Sequence, residues 1–406
     1  MPEALSVPII LWHPDGKRVA RQGSAWPTLK LAPDQELTAQ LRAAWQVESW
    51  LLHDGGLAYG VTGSPRFEGL GETLPAGLSW QEAAVPELRL ARPWHQLGWP
   101  AKAQALLREA GLSGTLRQVS SSDLNTVLRV ETPQGTAYLK KSHSPREMQA
   151  TAHLERHFPD LGPKVLGLSE TENWQILASG GALLDSVGDL GAWTEALERL
   201  ATFQTSAKAQ AWAALGCPIY SLADMQEKVS AFIGDTTTLQ GWGLDPKTIA
   251  ALQAARPDLE RAFGEVAALG LPELPAHGDA HPRNALHGER GSLWFDWSEA
   301  AFAHPFMDVG WFLAFVLHPK RDQLPIRTAQ PDLQGHLAQA YLRALGCPDA
   351  EQVLDKAIPL ALLHRAAVYD QQFRNWQDSV ADWWPNYTPY YLRLAAGTLG
   401  NLTPMS

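Results

Sequence analysis

The chain has 406 residues, 45% hydrophobic and 19% charged, the ordinary balance of a globular protein with two or three cores and far from that of a disordered one. Its net charge of −10 argues against a nucleic-acid partner, which would favour a concentrated basic face. Cys217 and Cys347 are the only cysteines and lack CxxC spacing, which excludes a disulfide scaffold and a cysteine zinc site and fits a reducing cytoplasm.

The opening segment, MPEALSVPIILWHPDGK, has neither a basic n-region nor an apolar stretch long enough for a signal peptide. Residues 1–92 read as a small α+β domain. Two short apolar runs flank HPDG, a turn signal between strands. LTAQLRAAWQVESWLLHDGG puts Leu41, Ala44, Trp45, Glu48, Leu51 and Leu52 near one helical face and predicts a helix running to the Gly-Gly stop. LPAGLSWQEAAVPELRL, at 74–90, shares the opening of a Nudix box but lacks its metal-binding acid cluster, so that chemistry is rejected. ARPWHQLGWPAK, with its two prolines, marks a hinge and begins a helix through AQALLREAGL.

From residue 115 the pattern changes. TLRQVSSSDLNTVLRVETPQGTAYLKKS predicts three strands, with a Ser/Asn turn and a TPQG turn between them. SPREMQATAHLERHF follows as a helix, and KVLGLS and NWQILAS as two more strands. Residues 93–180 thus form a linker helix and a β-rich lobe, and 181–406 turn mostly helical. The longest apolar run, VGWFLAFVL at 309–317, falls short of the ~18–20 residues of a membrane helix and reads as a buried core helix, so no membrane association is expected.

The chemistry concentrates in HGDAHPRN, residues 277–284, and in LWFDW, an apolar strand closing on Asp296 twelve residues after Asn284. An amide on a loop and an acid at a nearby strand end supply two oxygen ligands for a hard cation, and Mg²⁺ takes few protein ligands, completing its shell with phosphate and water. Asp279, with no evident cationic neighbour in sequence, is left to meet a substrate hydroxyl. One carboxylate on the acceptor and an Asn/Asp pair on the metal is the division of labour that phosphoryl transfer needs.

These motifs resemble the aminoglycoside phosphotransferase and choline kinase-like family, small-molecule relatives of the protein kinases. HGDAHPRN matches the HGDxHxxN loop of that family, FDW its (I/V)DW, and Asp308, twelve residues after Asp296, its loop-bracing aspartate. The resemblance covers 115–320 well and 320–406 loosely; FAHPF and RPWHQLGW resemble a bacterial branch with an extra N-terminal domain. It implies an α+β, bilobal, protein-kinase-like fold, with a β-rich N-lobe and a helical C-lobe, preceded by the small α+β domain. It implies ATP or GTP as donor, Mg²⁺ as cofactor and a small-molecule hydroxyl as acceptor: a metabolite, a sugar, an amino sugar or an aminoglycoside-like compound. Residue by residue, Asp279 is catalytic, Asn284 and Asp296 hold the metal, and His277 and Asp308 support the loop. Lys140 anchors phosphate and Glu147 pairs with it. Ser121, Ser122 and Asn125 lie in a glycine-free turn over the phosphates, where serine hydroxyls and backbone N–H groups would do the cradling. Ile176 and Ala178 belong to the hinge that meets the base. His281, Glu299, Trp376 and Asp378 are the candidates for lying beside the acceptor.

Each assignment has a rival. Ser144 to Glu147 also makes a capping box with proline at the first helical position. His277 and His281 lack a third ligand for zinc, and the further blocks of a binuclear metallophosphatase are missing. The aromatic and acidic residues of 364–392 suit a sugar or an amine-bearing ring, and equally a tryptophan core beside a solvated acidic loop. A silent nucleotide-binding regulator of the same fold is the alternative to an enzyme, although every expected catalytic position is filled. A protein kinase is disfavoured by the HGDxHxxN wording and the missing APE segment.

Overall fold

The computed structural model describes residues 5–13, 15, 17–31, 37–46, 49–53, 66–69, 73–82, 92–122, 124–206, 212–317, 323–330, 332–375 and 387–402. Packing divides the chain into two units. The first takes in the described residues up to His143 together with Trp174–Leu177, and the second Ser144–Asn173 and the described residues from Ala178 onward.

The first unit opens with a five-stranded sheet in the order Ser49–His53, Arg66–Gly69, Ile10–Trp12, Arg18–Arg21, Ser79–Glu82. Ile10–Trp12 pairs antiparallel with Arg18–Arg21, the strands predicted on either side of HPDG, and Asp15 Oδ1 accepts from the backbone N–H of Lys17 and Arg18, at 2.8 and 3.2 Å; Pro14 and Gly16 lie outside the described residues. Ile9, Leu11, Ala20, Leu29, Leu41 and Phe67 form the core beneath. One expectation fails here. The helix Leu37–Trp45 ends seven residues before Leu52, with Gln46 at φ +56°, and Ser49–His53 is a strand paired with Arg66–Gly69. The helical count included Leu51 and Leu52, but the pairing offered by RFEG overrides that local pattern.

The same unit continues through a 3₁₀ turn, Pro93–His95, and a helix, Trp99–Glu109, into Thr115–Ser121, Asn125–Thr132 and Gly135–Ser142. These three predicted strands pair antiparallel in sequence order, and Trp174–Ala178 joins at Gly135–Ser142. The first pair slips register between Gln118 and Ser120, which bulges Val119 outward.

In the second unit the predicted helix Arg146–His157 and strand Val165–Ser169 precede a largely helical body. Its core gathers Trp193, Phe203, Trp212, Trp294, Trp297, Phe306, Phe312 and Tyr341. Among the described residues seven tryptophans are almost fully buried, which accounts for much of the unusual tryptophan load as packing. Two helices matter for function, Phe306–Leu317 and Glu351–Asn375. They approach closely at Gly310, where any Cβ would press on the Ala357 carbonyl. No helix among the described residues is long and apolar enough to cross a membrane.

Candidate active site

HGDAHPRN runs from the strand Leu274–Ala276, through a 3₁₀ turn at Pro282–Asn284, into the strand Ala285–Gly288. Its shape depends on Gly278, whose φ of +78° and contact with the Glu299 carbonyl leave no room for a side chain. Asp308, in the first turn of Phe306–Leu317, holds the loop from behind. Its Oδ2 accepts from His277 N at 2.7 Å and Gln204 Nε2 at 3.1 Å, and its Oδ1 accepts from Gly278 N at 2.9 Å. Burial pushes the Asp308 carboxyl up to about 6, and those two backbone N–H groups limit the rise.

His277 is fully buried, and burial lowers its imidazole to about 4, so the ring is neutral at neutral pH. Its Nε2 lies 2.9 Å from the Phe295 carbonyl and therefore carries the proton, while Nδ1 accepts from Asp279 N at 3.3 Å. Both ring nitrogens are committed to the backbone, which argues against a zinc ligand.

Asp279 sits at the centre of the site. Trp311 Nε1 donates to its Oδ1 at 2.9 Å and Asn284 Nδ2 to its Oδ2 at 3.2 Å. Arg365 pairs with Oδ1 at 3.0 Å and donates to the Gly278 carbonyl at 2.8 Å. Burial alone would raise the Asp279 carboxyl, but the Arg365 guanidinium, with His281 beside it, holds it far below the usual carboxylate range. The carboxylate is thus ionised and fixed in direction. The sequence showed Asp279 without a cationic neighbour; the helix Glu351–Asn375 brings one from 86 positions downstream.

Glu299 and His281 also lie beside Asp279. Glu299 is 3.7 Å from Arg365, and burial raises its carboxyl. His281 Nε2 is 3.5 Å from Asp279 Oδ2, and its ring stacks on Phe315 at 4.6 Å. Gly278, Glu299, Asp308, Trp311, His364 and Arg365 border a cavity of about 30 Å³, room for a water or two. Trp376 and Asp378 fall outside the described residues.

The two metal candidates flank one end of a hairpin, Ala285–Gly288 with Gly291–Trp294, and Phe295 N donates to the Asn284 carbonyl at 3.0 Å. The Asn284 amide nitrogen is committed to Asp279, at 3.0 Å from its carbonyl as well, which leaves Oδ1 as the donor atom for a cation. Asp296 takes left-handed backbone angles, φ +61°, uncommon for a non-glycine residue and frequent at functional sites. Ser298 Oγ donates to Asp296 Oδ1 at 2.8 Å and orients the carboxylate. An amide oxygen and a carboxylate fit a hard, oxygen-seeking cation. Among the described residues no group of three or more His, Cys, Asp or Glu is placed to hold a metal, so phosphate and water would have to complete the shell.

The family model of the phosphotransferase enzyme family matches residues 115–356. The chain belongs to that family. It is therefore a phosphotransferase acting on a hydroxyl group. A choline/ethanolamine kinase family protein from Mesorhizobium loti is similar in structure, with 17% identity over 75% of this chain and 97% of the other and a TM-score of 0.50. The GDP complex of aminoglycoside 2'-phosphotransferase-IIIa matches with 13% identity over 75% and 99%, at a TM-score of 0.51. These likenesses carry the bilobal, kinase-like fold and no more. A search of curated proteins returns no match.

The remaining expected residues of this phosphotransferase are placed as follows. Lys140 is buried on Gly135–Ser142 opposite Val127, and Lys141 is buried too, so both faces of that strand are covered. Glu147 is fully buried in the first turn of Arg146–His157. Ser144 Oγ accepts from Arg146 N at 3.3 Å, one residue short of the Glu147 N–H that a capping box would use. Ile176 is buried, and Ala178 N donates to the Lys164 carbonyl at 2.9 Å, so that N–H already has a partner. The turn after Thr115–Ser121 departs from the open cradle. Ser122 N donates to the Asn125 carbonyl at 2.9 Å, and Leu124 N and Asn125 N both donate to Ser122 Oγ, at 3.2 and 3.3 Å. Three of its N–H groups close on the turn itself, whereas the buried Ser121 Oγ has no hydrogen-bond partner among the described residues.

Proposed function

We propose that the chain transfers the γ-phosphate of ATP or GTP to a hydroxyl of a small molecule in the cytoplasm. The observation that carries this reading is Asp279: an ionised carboxylate, aimed by Trp311, Asn284 and Arg365, on a loop that also carries the candidate metal ligand Asn284. Asp279 would accept the hydrogen bond of the incoming hydroxyl and take its proton late, since a loose transition state demands little of a base. A carboxylate held this acidic suits orientation better than early proton abstraction.

Asn284 Oδ1 and Asp296 would hold Mg²⁺. Mg²⁺ held there would supply positive charge to offset that of the phosphates. Lys140 would steady the α- and β-phosphates, Glu147 would position Lys140, and the turn carrying Ser121, Ser122 and Asn125 would lie over the phosphates. Ile176 and Ala178 would border the base, and His281 and Glu299 the acceptor. Choline, ethanolamine and aminoglycosides, named for the structural neighbours, are the first acceptors to try beside sugars and amino sugars. The test is thermal stabilisation by Mg·ATP or Mg·GTP, expected in the wild type and lost with EDTA or in Asp296→Ala. No stabilisation by either triphosphate at millimolar concentration would overturn the reading.

A further inference from the structure

The segment that leads into the kinase-like strands is clamped onto the glycine-free turn. Trp94 Nε1 donates to the Ser122 carbonyl at 2.6 Å, and His95 Nε2 lies 3.2 Å from the same oxygen. Trp94 and His95 are 1% and 2% exposed, so water does not compete for either donor. In a two-residue hairpin the first residue's carbonyl usually accepts the N–H three positions on. Here that carbonyl is drawn away, and Ser122 Oγ takes its place as acceptor for Leu124 N and Asn125 N. The orientation of the turn is therefore set from outside it.

The clamp has a second jaw. Arg92 Nη1 lies 2.8 Å from His143 Nδ1, and His143 N donates to the Leu124 carbonyl at 2.8 Å. His143 stands three residues after Lys140, and burial and the nearby Arg92 both lower its imidazole, keeping it a neutral acceptor. Residues 92–95 thus touch the end of the strand that carries Lys140 and the turn that carries Ser121. The N-terminal strand Ser49–His53 lies against both Pro93–His95 and Thr115–Ser121.

We propose that Trp94 and His95 are positioning residues for the nucleotide phosphates, doing from the N-terminal side what a glycine-rich loop would otherwise do by its own conformation. This rests on the reading of Ser121 to Asn125 as the turn over the phosphates. With the turn tied down through the Ser122 and Leu124 carbonyls, its backbone is set in advance and the phosphates need not order a loose loop on binding. The N-terminal domain is then coupled to nucleotide affinity without contributing a group to the reaction.

The experiment compares Mg·ATP and Mg·GTP with AMP and GMP, by calorimetric titration, in wild-type protein and Trp94→Phe. Phenylalanine keeps a six-membered aromatic ring and removes the donor. The triphosphate Kd should rise about five- to tenfold, what losing one neutral hydrogen bond is worth, with monophosphate affinity unchanged. His95→Leu should act in the same direction and His95→Gln, which retains a donor, should restore affinity; these variants decide the matter if Trp94→Phe does not fold. Unchanged triphosphate affinity in folded variants, or an equal loss for monophosphates, overturns the inference. A wild type that binds no triphosphate would instead overturn the kinase reading beneath it.

Discussion

Removing Arg365 tests how the site holds its central carboxylate. At 3.0 Å from Asp279 Oδ1, two unit charges in an effective dielectric of about 20 attract by about 5 kcal/mol. The Asp279 side chain is 21% exposed, which lets solvent screen the pair, and a coupling of about 2–3 kcal/mol remains. Arg365→Met keeps the stem's bulk and should cost about 3–5 kcal/mol, because it leaves Asp279 partly buried with only N–H partners. Asp279→Asn should cost less, since Arg365 keeps the Gly278 carbonyl and Glu299. The double variant should fall short of the sum by the coupling. Urea unfolding followed by tryptophan fluorescence gives all four stabilities. Additivity within about 0.5 kcal/mol would show that the two charges do not stabilise each other, and the argument for a pinned Asp279 would fail.

The pH dependence of stability follows from three buried histidines. Burial depresses His277 and His304 to about 4 and His364 to about 3, below the ordinary value, so the unfolded chain binds more protons than the folded one between those values and about 6.5. Their contribution is present above about 6.5 and is lost as pH falls toward 4, and the melting temperature should drop across that window. Asp308, raised to about 6, and Glu299 and Asp355, also raised by burial, act oppositely and only partly offset them; a melting temperature that rose from pH 6.5 to 4.5 would contradict this balance. Trp311→Phe removes the N–H on Asp279 Oδ1 together with part of a buried indole, and should cost at least about 1.5–3 kcal/mol, the range for a hydrogen bond to a charged group, by the same urea assay.

Much of this was legible in the sequence, because the loop residues, the metal pair and Asp308 lie within 32 consecutive positions, where local spacing survives folding. Asp308 and Trp311 could both have been read, being three apart on one helix face turned to the loop. Arg365 could not be assigned a partner, since its contact with Asp279 exists only through the packing of two helices at Gly310. Its signal was faint but physical: a lone arginine inside LALLHRAAVY, where a buried charge requires a partner. The way the turn at Ser122 is held was not legible for a related reason. Its carbonyl is captured by Trp94 and His95 from a segment 27 or 28 residues upstream, and no turn rule anticipates that.

The central claim is that Asp279 serves the acceptor and leaves the nucleotide to other residues. It is tested most directly by Asp279→Asn, measured for Mg·nucleotide affinity and for ADP or GDP release with an acceptor drawn from sugars, amino sugars, aminoglycosides and amino alcohols. Affinity should stay within about twofold while turnover falls by roughly 10²–10⁴, the range for losing a positioned acid or base. Near-normal turnover in the variant, or loss of nucleotide binding in step with activity, would contradict the account.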